Sequence, residues 1–338
     1  MASYLHHYFN KIGPLIRDPA MIEIALNGDG RIWTERAGQA VMLEAQVPEL
    51  DRHFVRDLAK QIANDQSLSL NETAPMISAS VEFEGVNLRS QVIVPPASAT
   101  GTVISLRLFR PRAAGAEPHR FGLLRDVTLS IEAERARILG DLKAGLSLGS
   151  EDEFDTFCRE VVGQRLNVLI SGITSGGKTE LSRRLLWMVA PDQRLALIQD
   201  ANELLPDLPN VVNLIADRKE ASPRSADRLL EATLRLRPDR IILGELRGIE
   251  AITFLEAINT GHEGSFTTIH AQSARKALDR LAFMVAKGGL GMSYAEIQRY
   301  VRGAIDVVIQ VGRAGDRRGV MEIWMPALDE VSAESGAL

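Results

Sequence analysis

The stretch GITSGGKT at 172–179 sets a glycine-rich turn between two apolar patterns. Leu169 and Ile170 before it favour a strand, while Leu181, Leu185, Leu186 and Val189 after it recur at helical spacing. Strand–GxxxxGK[ST]–helix is the pattern of a phosphate-binding loop. Gly172, Thr174, Ser175, Gly176 and Gly177 would turn backbone N–H groups inward, and the following helix adds the positive end of its dipole. Lys178 would reach the β- and γ-phosphates, and the Thr179 hydroxyl would join a Mg²⁺ shell. The rival, a chance glycine-rich turn, is disfavoured by the flanking strand and helix signals. The expected ligand is a nucleoside triphosphate with Mg²⁺.

Downstream, RPDRIILGELRGIEA (237–251) puts Glu245 at the end of an apolar strand. A carboxylate there can hold Mg²⁺ and orient or deprotonate a water. Its plainer reading is a glutamate at a helix N-terminus. In LIQDANELLP (197–206), Asp200 and Glu203 follow another apolar run. They either serve the metal shell or form a helix capping box, being three residues apart. NTGHEGSFTTIHAQS (259–273) carries His262 and His270. Their spacing is not that of a helical zinc pair or a Cys/His knuckle, so a metal role is disfavoured. A strand with Thr268 and His270 near its end suits a γ-phosphate sensor, against the plainer reading of satisfied structural histidines.

These residues need elements to hold them. Residues 20–110 alternate short strand-like runs with turn signals: MIEIALN, RIWTER, ISASVEFE, VNLRSQVIV and GTVISLRLF. One helical pattern, LDRHFVRDLAKQIAND, lies among them. That is an α+β domain with an antiparallel sheet, expected over 1–110. RPRAAGAEPHR lacks periodicity and predicts a linker over 111–120. From 121 to 338, two helical patterns lead into alternating strands (LNVLIS, RLALIQD, RIILGE, GSFTTIH) and helices, which predict a mostly parallel α/β sheet. Ligands of such sheets collect at the strands' carboxyl ends, where the motifs above fall.

Composition narrows the classes. The 338 residues are 45% hydrophobic and 25% charged, as expected of a globular protein. A net charge of −5 supplies no global field for nucleic acid, so direct nucleic-acid binding is not expected. The single cysteine, Cys158, excludes an intramolecular disulfide and reads as a buried inert thiol suited to a reducing cytosol. There is no run of eighteen apolar residues and no signal-peptide pattern. The opening SYLHHYFNKIGPLI places Leu5, Tyr8, Phe9 and Ile12 on one helical face, either docked on its own domain or turned to a membrane surface or partner.

Taken together, GITSGGKT, IQDANEL, RPDRIILGELRGIEA and TGHEGSFTTIHA closely resemble the Walker A, Asp box, Walker B and His box of the secretion ATPases. These are hexameric traffic ATPases of type IV secretion and conjugation, related to the motors of type II secretion and type IV pili. The N-terminal runs DPAMIEIALNGDGRIWTERAG and LRSQVIVPP, and the closing AIDVVIQVGR and RRGVMEIW, resemble the family as well. The resemblance implies a RecA-like P-loop NTPase domain, ATP and Mg²⁺ as cofactors, and nucleotide between the two domains. Arg89 and Arg107 would reach its phosphates, joined by Arg247 and His262. It also implies a homohexamer on the cytoplasmic face of the inner membrane, with inner-membrane components of a secretion apparatus as partners. The short N-terminal domain and the lack of a four-cysteine insert favour the type IV branch.

Two motifs depart from the family. Gln199–Asp200 stands where Glu–Asp is usual, which puts a base at 199 in doubt and keeps alive a nucleotide-gated scaffold with little turnover. SGG at 175–177 replaces the commoner GSG, with function expected to be kept, while Glu180 adds a negative charge expected to weaken binding.

Overall fold

The computed structural model describes residues 4–48, 50–111, 121–146, 150–219 and 221–329, so nearly all of the expected linker lies outside the described residues. In chain order come α1 (Tyr4–Lys11), α2 (Gly13–Arg17), β1 (Met21–Leu26), β2 (Ile32–Arg36), β3 (Leu43–Ala45), α3 (Arg52–Asp65), β4 (Met76–Phe83), β5 (Val86–Ile93) and β6 (Val103–Phe109). Next are α4 (Ile131–Gly145), α5 (Glu151–Gly163), β7 (Val168–Gly172) and α6 (Lys178–Trp187). Then follow β8 (Leu195–Gln199), β9 (Val211–Ile215), α7 (Ala226–Thr233), β10 (Arg240–Leu243) and α8 (Glu250–Asn259). The chain closes with β11 (Phe266–Ile269), α9 (Ala274–Lys287), α10 (Tyr294–Ala304), β12 (Val307–Ala314) and β13 (Arg317–Trp324). Among the described residues, no helix is long and apolar enough to cross a membrane.

Two compact units result: Met1–Pro111 with Ala190–His262, and Arg112–Val189 with Glu263–Leu338. In the first, an antiparallel sheet has the order β3-β2-β1-β6-β5-β4. Its inner face packs Ile24, Leu26, Leu88, Val92, Ile104 and Leu106 against Phe54, Leu58 and Ile62 of α3, which Asp51 caps by accepting from Phe54 N at 2.8 Å. Leu5, Phe9 and Ile12 are buried in the same core and Tyr8 packs on it. Of the two readings of the N-terminal helix, the structure therefore takes docking on its own domain. That apolar face is spent on the core, because burying each such side chain gains about 1.5–3 kcal/mol.

Residues 190–262 join this unit through main-chain bonds, Ala99 N to Asn213 O at 2.9 Å and Ile215 N to Ala97 O at 2.8 Å. Fully buried Arg194 adds side-chain bonds, donating to Asn27 Oδ1 and Asn210 Oδ1. Burial pulls its guanidinium down to about 10. Here β8 lies between β10 and β9, all three parallel.

In the second unit, β7 lies between β11 and β12, parallel to both, and β13 returns antiparallel on β12. Within each unit the strands after β6 thus pair in parallel, except β13 on β12. Asp306 is buried just before β12, accepts from Asn167 N at 2.6 Å and pairs with Arg135 of α4. Burial opposes the Arg135 charge, but the Asp306 hydrogen bond and charge outweigh it and leave that guanidinium raised. Cys158 is buried and burial pushes its thiol up to about 12, the inert thiol expected.

Candidate functional site

The glycine-rich turn forms where the spacing places it, between β7 and α6. β7 is buried at every position and ends at Gly172, where a Cβ would sit 2.7 Å from Val311 O; only glycine lets the chain turn so close to β12. Gly177, at φ 104°, caps α6 in the left-handed region. Thr174 and Ser175 are exposed, Gly176 is buried, and Lys178 and Thr179 open the helix half-buried. Because Ile269 of β11 pairs with Ser171 of β7, His270 emerges beside the loop. Lys178 Nζ donates to Gly172 O at 3.2 Å and lies 3.2 Å from His270 Nδ1. An ammonium has only donors, so the ring nitrogen accepts.

The departure in the loop has a measurable consequence. Ser175 holds φ 60°, so the SGG order puts a serine where the commoner GSG has a glycine. Glu180 is exposed and pairs with Arg183 at 3.3 Å, which offsets the negative charge expected to oppose binding.

A second constellation gathers in the other unit. Glu245 follows β10, and Arg247 Nη2 donates to its Oε2 at 2.8 Å. The same guanidinium pairs with Asp200 Oδ2, which Arg218 Nε also reaches at 3.2 Å. Glu245 raises the Arg247 guanidinium above its ordinary value, despite partial burial. Two carboxylates and two guanidiniums thus neutralise one another. Arg218 carries no motif signal in the sequence.

Two plainer readings are corrected here. Residues 201–208 form no helix, so Asp200 and Glu203 make no capping box; the prolines at 206 and 209 interrupt any helical run. Glu245 is not the helix-N-terminal glutamate either. That part belongs to Glu250, which opens α8 and accepts from Arg247 N at 2.5 Å and Gly248 N at 2.8 Å. Glu203 is exposed, and its backbone N–H donates to Gln199 Oε1 at 3.0 Å.

In the same unit, Arg89 of β5 lies directly opposite Arg107 of β6, which faces Glu23 of β1. Both guanidiniums sit over the Phe109 ring, at 4.8 and 5.9 Å from its centroid. Like charges facing across a ladder are unfavourable unless something neutralises them. Arg89, Arg107 and His262 all line one cleft of about 490 Å³, together with Glu23, Arg235 and Arg237. Arg237 is spent on Glu35 and Asp239, both at 2.7 Å, and Glu23, raised by burial against the Ser105 hydrogen bond, faces neighbouring guanidiniums. The exposed Arg89, Arg107 and Arg235, the last donating to Ser78 Oγ at 2.8 Å, are therefore the cations this cleft presents outward. His262 Nδ1 lies 3.1 Å from Ala257 O, at the end of α8. Arg235 had no motif to announce it, and Arg237 opens the 237–251 run without being singled out there.

Each unit carries hard oxygen donors of the kind Mg²⁺ takes: the Thr179 hydroxyl in one, and the Glu245 and Asp200 carboxylates in the other. Among the described residues no three His, Cys, Asp or Glu side chains gather as a ready metal cage. Mg²⁺ bound with a phosphate substrate needs only one or two protein oxygens, because waters and phosphates complete its shell.

Residues 133–311 match the family described as Type II/IV secretion system protein. The type IV secretion system protein VirB11 of Brucella suis is 31% identical over 339 residues, covering 96% of this chain and 90% of that protein. VirB11 of Bartonella henselae is 30% identical, covering 93% and 90%. A crystal structure of the VirB11 ATPase from the Brucella suis type IV secretion system, in complex with sulphate, superposes with a TM-score of 0.81 at 28% identity, over 98% of each chain. The glycine-rich turn at the carboxyl end of β7, the ion-paired carboxylates after β8 and β10 and these similarities agree: the chain belongs to the type II/IV secretion system protein family.

Proposed function

We propose that this chain is a Mg²⁺-dependent ATPase that works as a homohexameric ring at the cytoplasmic face of an inner membrane. There it would power assembly of a type IV secretion or conjugation apparatus, or substrate passage through it, in contact with that apparatus's inner-membrane components. The observation that carries the reading is Lys178, held at the mouth of the glycine turn by two loop carbonyls and His270. An ammonium held by neutral acceptors is ready to exchange them for phosphate oxygens, whose negative charge adds ion-pair attraction to the hydrogen bond.

The remaining roles follow from chemistry. Backbone N–H groups of 174–177 and the α6 dipole bind phosphate, with Thr179 on the metal side. Mg²⁺, when bound, supplies charge neutralisation at the phosphate oxygens. Glu245 holds and deprotonates the attacking water, with Arg247 keeping its carboxylate ionised and directed. Asp200 and Glu203 support the metal shell, and His270 reads the terminal phosphate. Arg89, Arg107 and His262 bind phosphate from the cleft of the first unit. As functional parts, 1–110 is the nucleotide-clamping domain and 121–338 the ATPase domain.

The relatives favour type IV secretion over a type II or pilus motor. A scaffold with little turnover is the second reading, favoured by Gln199 in place of a carboxylate. Lys178→Ala tests the core claim: hydrolysis should vanish and ATP affinity fall steeply, read by phosphate release and calorimetry. Undiminished hydrolysis in that variant would refute the ATPase reading, and negligible hydrolysis by the unaltered protein would support the scaffold.

A further inference from the structure

Gln199, the last residue of β8, is only 4% exposed. Its amide has two N–H donors and two acceptor lone pairs, and the protein takes all four. Nε2 donates to Leu204 O at 3.1 Å and to Asn213 Oδ1 at 2.8 Å. Oε1 accepts from Glu203 N at 3.0 Å and Leu204 N at 2.8 Å. Turning the amide over would set oxygen against Leu204 O and NH₂ against two N–H groups, so the orientation is dictated by its partners. Asn213 is itself held, donating from Nδ2 to Asn202 Oδ1 at 2.5 Å. Ala216 N closes on Gln199 O at 2.8 Å.

No capacity remains on this side chain to orient a water or touch a phosphate. What it does hold is the loop 200–204, whose first residue, Asp200, meets Arg247 and Arg218. We propose that Gln199 is a positioning residue: its buried amide closes the loop on both edges and thereby sets the direction in which Asp200 and Glu203 are presented. A carboxylate at 199 could accept from the two N–H groups but has no N–H for Leu204 O. The glutamine is therefore a more complete clamp for this loop, and the family's acidic residue is replaced without the loss of a needed base.

The activity arm of the test rests on the ATPase reading; the structural arm does not. Gln199→Met keeps the length and removes all four bonds, while Gln199→Glu keeps the acceptors. In the full-length protein, hydrogen exchange at Glu203 and Leu204 N–H should speed up about tenfold or more in Gln199→Met and stay slow in Gln199→Glu, the change expected for buried bonds left unmade. Turnover of ATP should fall about tenfold in Gln199→Met with KM moved by less than about threefold, and fall less in Gln199→Glu. Introduced into an Asp200→Asn background, Gln199→Met should cost little more, because its effect runs through Asp200.

Unchanged exchange in Gln199→Met, an effect confined to KM, or a full further loss in the Asp200→Asn background overturns the proposal. So does a Gln199→Glu protein faster than the unaltered one, which would mean that position 199 acts chemically. That variant keeps half the bonds and carries the test if Gln199→Met does not fold. An unaltered protein with no turnover would sink the ATPase reading, and the exchange rates would still decide the role of Gln199.

Discussion

Ser175 and Glu245 show how single residues set the energetics of this site. Ser175 sits at φ 60°, a left-handed conformation that costs an L-residue roughly 1–2 kcal/mol. Ser175→Gly should relieve that strain while adding about 0.4–1 kcal/mol of unfolded-chain entropy. The net expectation is a gain of about 0.5–1 kcal/mol, checked as a higher melting temperature without nucleotide. Gly176→Ser should not share the benefit, since a Cβ there meets Ile173 O at 3.0 Å. Glu245 shares Arg247 with Asp200, and in the proposed function its carboxylate acts on the attacking water rather than holding the loop. Glu245→Gln should keep nucleotide binding and lose turnover by a factor of about 10² or more. Calorimetry and phosphate release separate the two quantities. If Glu245→Gln turns over normally while Asp200→Asn is inactive, the base belongs at Asp200.

Elements are held in place by a few buried polar anchors as much as by apolar packing. β7 can present its glycine turn because Asp306 and Asn167 tie its start to β12 and α4. Asn167 Nδ2 donates to Ala304 O at 3.0 Å, and Gly264 N donates to Asn167 Oδ1 at 3.0 Å. Asp306→Ala would leave Arg135 and the Asn167 N–H without their acceptor in a largely buried setting. A loss of about 3 kcal/mol is expected, discounted from a fully buried pair because Arg135 keeps some water contact. Chemical unfolding followed by circular dichroism checks it; a midpoint within error of the unaltered protein would show that α4 is held by packing alone.

For the molecule as a whole, the segment from Phe121 into the start of α4 is where the proposed assembly can be tested. Phe121, Leu123, Leu124, Val127, Leu129 and Ile131 are all exposed, Leu124 at 97%. Six large apolar side chains in eleven residues exceed what a solvated surface ordinarily carries, and a neighbouring copy in the proposed ring is the occupant that suits them. Leu123→Asp with Leu124→Asp should shift the proposed hexamer toward monomer, each leucine buried in such a contact being worth about 1.5–3 kcal/mol. Light scattering with a non-hydrolysable ATP analogue reads the mass. A double variant that still forms rings at equal concentration would assign the contact elsewhere.

Much of this protein is written in local order. The glycine turn, its lysine and threonine, the apolar strands on either side and the antiparallel N-terminal runs follow from spacing. Phosphate loops, hairpins and helix faces depend on neighbours only a few residues away. Two strands escaped: β3 is three residues long and part-exposed, and β9 lies in an apolar run with no alternation to separate strand from helix. What tertiary structure alone decided are the pairings between distant residues. Arg218 reaches Asp200, Glu250 rather than Glu245 serves the helix, His270 meets Lys178, and Arg89 is set opposite Arg107. Most telling is Gln199, which the sequence presents as a missing carboxylate. The fold makes it a fully occupied amide, because strand register and a turn bring four partners within hydrogen-bond reach, and no local pattern encodes that convergence.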